Sequence, residues 1–236
     1  MIYVMSDMHG CFDKYQQMLC EISFSSRDTL YVLGDVIDRG ADGVKILLDM
    51  SLRPNVFPLL GNHEFTAAIC MSWIAAEITD EQIDALSTEK MGAYSEWIVN
   101  GGGPTIESLK RVGRETLGDI QEYFQEMELY TEVEVGGRSF LLVHAGLDNF
   151  APGKPLDEYG LSDFLFARPQ LEQDYFPDKF VIFGHTPVQF LRRRLGEAPS
   201  ASILRRGNQI AIDCGCSFPG GRLGCLCLDT MEEFYV

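Results

Sequence analysis

Two carboxylates and one arginine stand close together in residues 34–40, Gly-Asp-Val-Ile-Asp-Arg-Gly. The segment follows an apolar run, residues 29–33, which is typical of a buried strand. Asp35 and Asp38 therefore lie at the carboxyl end of a strand, between two glycines that permit a tight turn. Arg39 offers a planar fork of donors suited to phosphate oxygens. We interpret this segment as a place for chemistry on a phosphate group, the alternative being a polar turn before a capped helix.

The histidines of the chain extend this pattern. There are only four, and each lies in a polar motif directly after a predicted strand: His9, His63, His144 and His185. A single histidine in such a place is more often a hydrogen-bonded core residue than a ligand, but this explanation is hard to apply to all four. Together with Asp7, Asp35 and Asn62 they offer oxygen and imidazole ligands without a thiolate. Such a set suits Mn²⁺, Fe or Zn²⁺ and is too rich in nitrogen for Ca²⁺.

The first 64 residues show how these side chains are positioned. Short strands are predicted at residues 2–6, 29–33 and 56–60, and each is followed by a polar loop and then by helical spacing of apolar residues. This alternation implies crossover connections and parallel pairing of the strands. In such sheets, ligands bind outside the carboxyl ends of the strands. We therefore expect the three polar loops to converge on one site.

The middle of the chain has a different character. Residues 65–129 are mainly helical in pattern, and we interpret them as a helical insertion that carries substrate preference beside the site. Thr79 and Gln82 resemble a capping box for a helix that runs toward Trp97, which we expect to pack in the core. Strands are predicted again at 130–135, 139–143 and 180–183, and the tail from residue 209 has the pattern of hairpins.

Composition limits the class of protein. The 236 residues, 46% of them hydrophobic, are enough for a large core, and we expect a single domain over residues 1–236. A formal net charge of −16 disfavours nucleic acid as a partner. No run of about 18 apolar residues predicts a membrane span, and the N-terminus enters a strand without a basic region or cleavage site. These features predict a cytoplasmic protein that has no membrane partner.

The seven cysteines form no recognisable framework. An odd number without a secretion signal argues against disulfides. The pairs Cys214/Cys216 and Cys225/Cys227 have one intervening residue instead of the two to four that are usual for zinc pairs. Because alternate residues of a strand face the same side, we interpret both pairs as apolar core positions.

The polar motifs form an ordered set. Asp-x-His-Gly, Gly-Asp-x-x-Asp-Arg-Gly, Gly-Asn-His-Glu, His-Ala-Gly and Gly-His-Thr-Pro follow one another from residue 7 to residue 187. This set resembles the calcineurin-like metallophosphoesterases, and within them the phosphoprotein phosphatases, which include bacterial serine/threonine phosphatases and symmetrical diadenosine tetraphosphatases. The resemblance implies an α/β fold of two packed mixed β-sheets flanked by helices, a four-layer αββα sandwich. It also implies two divalent metal ions, which we expect to be Mn, with Fe or Zn as alternatives.

The resemblance implies a role for each residue of the motifs. Asp7 and His9 would hold the first metal, Asp35 would bridge both ions, and the second would be completed by Asn62, His144 and His185. The phosphate oxygens would be bound by Arg39, Arg168 and Asn62. His63, oriented by Asp38, would be the general acid.

The chemistry that follows is hydrolysis of phosphate esters. Two ions about 3.5–4 Å apart lower the pKa of a shared water, and the resulting hydroxide attacks phosphorus while His63 protonates the leaving oxygen. Phosphoserine or phosphothreonine in proteins is the favoured substrate, and diadenosine tetraphosphate or another small phosphate compound is the alternative. A non-catalytic binding scaffold is disfavoured because every expected ligand is present. His-Ala-Gly looks bacterial, and the aromatic C-terminal loop of the eukaryotic enzymes is not evident around residues 217–219. The oligomeric state stays open.

Overall fold

The computed structural model describes residues 1–74, 88–172 and 174–236. Within these ranges the chain forms two sheets of five strands each, with helices packed against them. The strands are β1 (Ile2–Met5), β2 (Thr29–Val32), β3 (Val56–Pro58), β4 (Tyr130–Val135), β5 (Arg138–Val143), β6 (Lys179–Phe183), β7 (Leu204–Arg206), β8 (Gln209–Ala211), β9 (Gly224–Cys227) and β10 (Glu233–Tyr235). The helices are α1 (Phe12–Glu21), α2 (Gly43–Ser51), α3 (Asn62–Ile74), α4 (Thr88–Val99), α5 (Gly103–Leu109), α6 (Arg114–Glu126), α7 (Leu161–Leu165) and α8 (Val188–Arg194), with a 3₁₀ turn at Leu156–Glu158.

Both sheets combine parallel and antiparallel pairs. The first has the strand order β10-β9-β1-β2-β3, in which β1, β2 and β3 are parallel and β9 and β10 are antiparallel to their neighbours. The second has the order β4-β5-β6-β8-β7, with a parallel centre of β5, β6 and β8. The predicted architecture of two mixed sheets flanked by helices is confirmed. The predicted parallel pairing of the first three strands is confirmed as well, so their polar loops emerge at one edge.

Alternation of side chains explains how the first sheet is buried on both faces. In β1, Tyr3 and Met5 belong to the apolar cluster on the side of the helices, whereas Val4 belongs to the cluster shared with the second sheet. In β9, Cys225 and Cys227 face the helices, whereas Leu226 faces the second sheet. The period of two residues therefore sends successive apolar side chains into opposite layers of one sandwich.

The two Cys-x-Cys pairs behave differently. Cys225 and Cys227 lie on the same face of β9, which confirms their prediction as core positions. Cys214 and Cys216 are also core positions, as predicted, but they are buried in different apolar clusters instead of on one face of a strand. The physical reason is that β8 ends at Ala211 and that Gly215, with φ of +74°, turns the backbone between them. All seven cysteines are free, and the candidate metal groups found among the described residues contain none of them.

In the described part of the segment between β3 and β4, the regular elements are the helices α3 to α6, with short turns after α4 and α5. Helices α3 and α4 contact each other, and α6 contacts both α2 and α3. The capping box predicted at Thr79 and Gln82 lies outside the described residues. The single-domain boundary at 1–236 stays a prediction. Among the described helices, none has the length and apolar content that a membrane span requires.

A glycine after β2 allows two of the polar loops to approach each other. Gly34 has φ of +83°, and a Cβ added there would lie 2.5 Å from the Cα of Gly61. We expect Gly34→Ala to lower the free energy of unfolding by about 2–4 kcal/mol, because it adds left-handed strain to a backbone clash. Gly118→Ala, on the exposed side of α6 with open space around it, is the control and should gain up to about 1 kcal/mol. Urea denaturation of both variants measures the difference, and equal midpoints would contradict the prediction.

Candidate metal centre

The polar loops that follow the strands are joined to each other by backbone hydrogen bonds. The amide of Asp7 donates to the carbonyl oxygen of Gly34 at 3.1 Å, and the amide of His9 donates to that of Asp35 at 2.9 Å. On the second sheet, the amide of Gly184 donates to the carbonyl oxygen of His144 at 2.7 Å. Six of the predicted site residues have a positive φ: Asp7, His9, Asp35, Asp38, Arg39 and His185. Such conformations cost about 1–3 kcal/mol each and concentrate at functional sites.

Four acceptor atoms meet where the two sheets adjoin. The Oδ1 atom of Asn62 lies 2.8 Å from Nδ1 of His185 and 3.0 Å from Nε2 of His144, and these two nitrogens are 3.2 Å apart. Oδ1 of Asp35 lies 3.5 Å from Nε2 of His144. Nδ1 of His144 is 2.6 Å from the carbonyl oxygen of Leu33, which fixes its proton on Nδ1 and leaves a lone pair on Nε2. Oxygen and imidazole nitrogen atoms that converge in this way fit a divalent cation.

A second group of ligand atoms surrounds the other oxygen of Asp35. Nε2 of His9 and Nε2 of His63 each lie 3.7 Å from its Oδ2 atom. Nδ1 of His9 is 2.9 Å from the carbonyl oxygen of Ile37, so the lone pair of this ring also points inward. Asp35 thus takes part in both groups of convergent ligand atoms, as expected for a bridging ligand.

Asp7 is placed beside these groups rather than in them. Both oxygens of its carboxylate accept the amide hydrogen of His185 at 3.0 Å, and Oδ2 also accepts the hydroxyl hydrogen of Ser6. Among the described residues, neither of the two groups of mutually close ligand atoms includes Asp7. The structure therefore brings His9, Asp35, His144 and His185 together with Asn62, and holds Asp7 against the loop that carries His185.

Burial controls the charges of the site. It lowers the pKa of His9 and of His185 to about 3, so both rings are neutral, as a ligand must be. Burial alone would raise the pKa of Asp35, but the surrounding histidines outweigh it and lower that pKa. The pKa of Asp7 is raised well above its usual value by burial and then by the charges of Asp213 and Asp35. Buried carboxylates that repel each other in this way are a donor set that cations stabilise.

His63 is prepared to donate a proton. Its Nδ1 lies 2.6 Å from Oδ2 of Asp38, and its Nε2 lies 3.4 Å from Nη2 of Arg39. Burial would lower its pKa, but the carboxylates of Asp35 and Asp38 outweigh this effect and raise the pKa to about 9. The ring is thus protonated at neutral pH and carries a hydrogen on Nε2. This is the state that a general acid requires.

Two helices of the segment between β3 and β4 hold Asp38 in place. Nε1 of Trp97 donates to Oδ2 of Asp38 at 2.8 Å, and the hydroxyl of Thr105 donates to Oδ1 at 2.6 Å. The amide of Asp38 donates back to Oγ1 of Thr105 at 2.9 Å. Trp97 is fully buried, which confirms its prediction as a core residue, but its hydrogen bond to the site is a finding of the structure.

Removing the hydrogen bond of Trp97 should weaken this support. We expect Trp97→Phe, which keeps an aromatic ring but removes the N–H group, to lower the free energy of unfolding by about 1.5–3 kcal/mol. Tyr123→Phe is the control, because the buried hydroxyl of Tyr123 has no partner among the described residues and its loss should be neutral or stabilising. Guanidinium denaturation of both variants tests the prediction. An equal decrease in the free energy of unfolding of the two variants would contradict it.

The predicted phosphate-binding residues Arg39, Arg168 and Asn62 line one cavity of about 500 Å³, which His63 and His185 also line. The guanidinium of Arg168 contacts Nε2 of His185, so the structure places this exposed arginine at the site. Arg39 is held by a hydrogen bond from its amide to the carbonyl oxygen of Gly101, at 2.8 Å. Two positive charges therefore face the cavity beside the two groups of candidate ligand atoms.

The C-terminal loop brings an aromatic ring to the site, which the sequence analysis does not predict. The ring of Phe218 lies over the guanidinium of Arg39, with 5.5 Å between the guanidinium carbon and the ring centroid. Phe218 follows the turn at Gly215, and this turn brings the loop back across the site. A cation–π contact of this kind orients the guanidinium.

Glu64 is a site residue to which the sequence analysis assigns no role. It is fully buried, and its carboxylate accepts the amide hydrogens of Asp35, Val36, Ile37 and Gly61 at 2.8–3.2 Å. Burial, followed by the charge of Asp35, raises its pKa to about 7. Glu64 stands three residues after Gly61 at the start of α3, and an acidic residue at this position of a helix is the signal that predicts such a bond.

The chain is similar in sequence to a known family and to individual proteins of known activity. Residues 1–208 match the family model described as calcineurin-like phosphoesterase. Serine/threonine-protein phosphatase 2 of Salmonella typhimurium strain LT2 is 28% identical over 233 residues, which are 94% of this chain and 90% of that protein. The symmetrical bis(5'-nucleosyl)-tetraphosphatase of Acidovorax sp. strain JS42 is 46% identical over 65 residues, which are 27% of this chain and 23% of that protein.

Solved structures show the same fold at lower identity. A crystal structure of a protein assigned as a diadenosine tetraphosphatase aligns with a TM-score of 0.65 and 18% identity, over 100% of this chain and 92% of the other. A protein serine/threonine phosphatase from Saccharomyces cerevisiae aligns with a TM-score of 0.61 and 16% identity, over 95% of this chain and 71% of the other. These likenesses establish the shared architecture.

Proposed function

Because the chain belongs to the calcineurin-like phosphoesterases and is a metal-dependent hydrolase of phosphoric esters, we propose that it acts on phosphate monoesters, in particular phosphoserine and phosphothreonine of proteins. The observation that carries the proposal is one cavity lined by a protonated acid, His63, by two arginines and by two of the ligands of the metal groups. Similarity to a serine/threonine phosphatase over nearly the whole chain supports the substrate class.

The residues present fit two divalent ions, which we propose to be Mn²⁺, with Fe or Zn²⁺ as alternatives. We assign His9, Asp35 and Asp7 to the first ion, and Asp35, Asn62, His144 and His185 to the second. The neutral histidines, the shared carboxylate and the excess of buried negative charge support this assignment. When bound, such ions supply positive charge for the phosphate oxygens and activate a water molecule for attack on phosphorus.

The protein's own residues then complete the reaction. Arg39 and Arg168 bind the non-bridging oxygens of the phosphate and orient it, and the amide of Asn62 contributes at the same edge of the cavity. His63 gives its Nε2 proton to the ester oxygen as the phosphorus–oxygen bond breaks, so the leaving group departs as a neutral alcohol. Asp38 holds the ring through Nδ1 and stabilises its protonated form.

The second candidate substrate is a dinucleoside polyphosphate. Local similarity to symmetrical tetraphosphatases over 65 residues favours it, although that stretch is 23% of the relative's length. A non-catalytic scaffold has less support, because His63, Asp38 and the ligand groups are all in place. We propose the cytoplasm as the compartment and, from the net charge of −16, neither nucleic acid nor a membrane as a partner.

A comparison of substrates tests the proposal. The purified protein is treated with EDTA, reloaded with Mn²⁺, and assayed on a phosphothreonine peptide, on diadenosine tetraphosphate and on an aryl phosphate. We expect Mn²⁺-dependent release of phosphate with the highest kcat/KM on the peptide. Faster cleavage of the dinucleotide would move the assignment to the second candidate. No metal-dependent rate on any of the three would overturn both.

A further inference from the structure

A buried carboxylate at the end of β8 has no role in the site described so far. Strand β8 pairs in parallel with β6, with Ala211 opposite Phe183. Beyond this pair, the amide of Ile212 donates to the carbonyl oxygen of Phe183 at 2.8 Å, so the two chains stay side by side. The carbonyl oxygen of Asp213 accepts the amide hydrogen of Val188 at 2.8 Å, so Asp213 lies beside the loop that carries His185, whose amide donates to Asp7. The topology places Asp213 at the same sheet edge as the metal groups.

The side chain of Asp213 is only half satisfied. The residue is 2% exposed, and its Oδ1 atom accepts the amide hydrogen of Gly215 at 2.8 Å. Its Oδ2 atom is buried and has no hydrogen-bond partner among the described residues. A carboxylate oxygen in this position costs free energy unless a donor or a cation reaches it.

The charged groups that interact with Asp213 belong to the site described above. The charged groups that act on it are Asp35, which repels it, and Arg39, which attracts it. It is in turn the charged neighbour that most disfavours ionisation of Asp7, while burial raises the pKa of both carboxyls. Asp213 is thus close enough to Asp7 and Asp35, the carboxylates assigned to the first ion, for their charges to interact.

We propose that Asp213 is an acidic group of the first metal position and that its free Oδ2 helps Asp7, His9 and Asp35 to attract a divalent cation. This inference rests on the proposed metal-dependent function. Neither group of mutually close ligand atoms among the described residues includes Asp213, so we assign it a supporting role beside the ligands. A cation between Asp7 and Asp213 removes the repulsion between two buried carboxylates and provides the missing partner for Oδ2.

Asp213→Asn separates this role from support of the turn at Gly215. Asparagine keeps the Oδ1 acceptor for the Gly215 amide and removes the charge. On EDTA-treated protein, we expect the affinity of the first position for Mn²⁺, measured by calorimetric titration, to fall about 10–100-fold. In the same metal-free samples, we expect Tm to rise or stay the same, because the repulsion from Asp7 is relieved. If Asp213 only supported the fold, its replacement would lower the Tm of the metal-free protein. Weaker Mn²⁺ binding with an unchanged or higher Tm therefore indicates a role in metal binding.

Asp49→Asn is the matched control. Asp49 is a partly buried carboxylate of α2, bonded to the hydroxyl of Tyr15 at 2.9 Å and to Nε of Arg53 at 2.7 Å. Its replacement should lower Tm and leave the affinity for Mn²⁺ unchanged.

The two hypotheses fail in different ways. Unchanged Mn²⁺ affinity in Asp213→Asn, with or without a lower Tm, overturns the role of Asp213, whereas Mn²⁺-dependent ester hydrolysis by the unmodified protein still supports the proposed function. An unmodified protein that binds no Mn²⁺ and hydrolyses no ester overturns both.

Discussion

Replacing His63 by glutamine is expected to lower kcat on a phosphothreonine peptide by about 10²–10⁴-fold. The reason is that an alkoxide is a poor leaving group and must receive a proton as the phosphorus–oxygen bond breaks. Glutamine offers a hydrogen-bond donor but no transferable proton. Asp38, which is bonded to Nδ1 of His63, stabilises the protonated ring from which the proton is transferred.

The dependence on the leaving group gives the sharpest measurement. An aryl phosphate with an acidic phenol needs little protonation, and its kcat should fall much less than that of the peptide in the same variant. Metal content should stay unchanged, because the inward-facing nitrogens of His9, His144 and His185 remain. Asp38→Asn should give a smaller loss with the same preference, since it removes the charge that stabilises protonated His63. Equal losses on both substrates would show that His63 has another role.

The second large effect is expected at Glu64, whose replacement should change the free energy of unfolding rather than proton transfer. In Glu64→Gln, one carboxylate oxygen becomes an amide nitrogen that faces two backbone donors. Each oxygen now accepts two amide hydrogens, Oε2 from Asp35 and Gly61 and Oε1 from Val36 and Ile37. Two buried N–H groups therefore lose their acceptor, and we expect the free energy of unfolding to fall by about 2–6 kcal/mol.

Glu107→Gln is the control for this variant. Glu107 lies on α5 and forms an exposed ion pair with Lys110 at 3.3 Å, so its replacement should change stability by no more than about 0.5 kcal/mol. Urea denaturation of the EDTA-treated proteins measures both variants without a contribution from bound metal. Equal stability of Glu64→Gln and the control would mean that the four amides find other acceptors and that Glu64 does not hold the loops together.

Much of the framework follows from short apolar runs that end in polar motifs. Residues 29–33 predict a buried strand, because a strand covered on both faces contains few polar residues, and the structure has β2 there. Residues 56–60 predict a further short strand, and the structure has β3 at Val56–Pro58, on the edge of the sheet. Since parallel strands end at one edge, the motifs after them had to meet, and His9, Asp35 and Asn62 do so. The loops themselves carry the residue types that metal and phosphate chemistry requires. Fold class and the set of candidate ligands thus follow from local pattern and order along the chain.

Contacts between segments far apart in the chain were decided only by the tertiary structure. The hydrogen bonds of Asp38 to Trp97 and Thr105 span 59 and 67 residues, and no periodicity indicates which buried donor will reach which carboxylate. Phe218 reaches Arg39, and Cys214 and Cys216 separate into two clusters, because Gly215 reverses the backbone between them. Likewise, Asp213 reaches the site only through the pairing of β8 with β6. Pattern specifies which face of a strand is buried, but packing of the two sheets specifies which side chains meet.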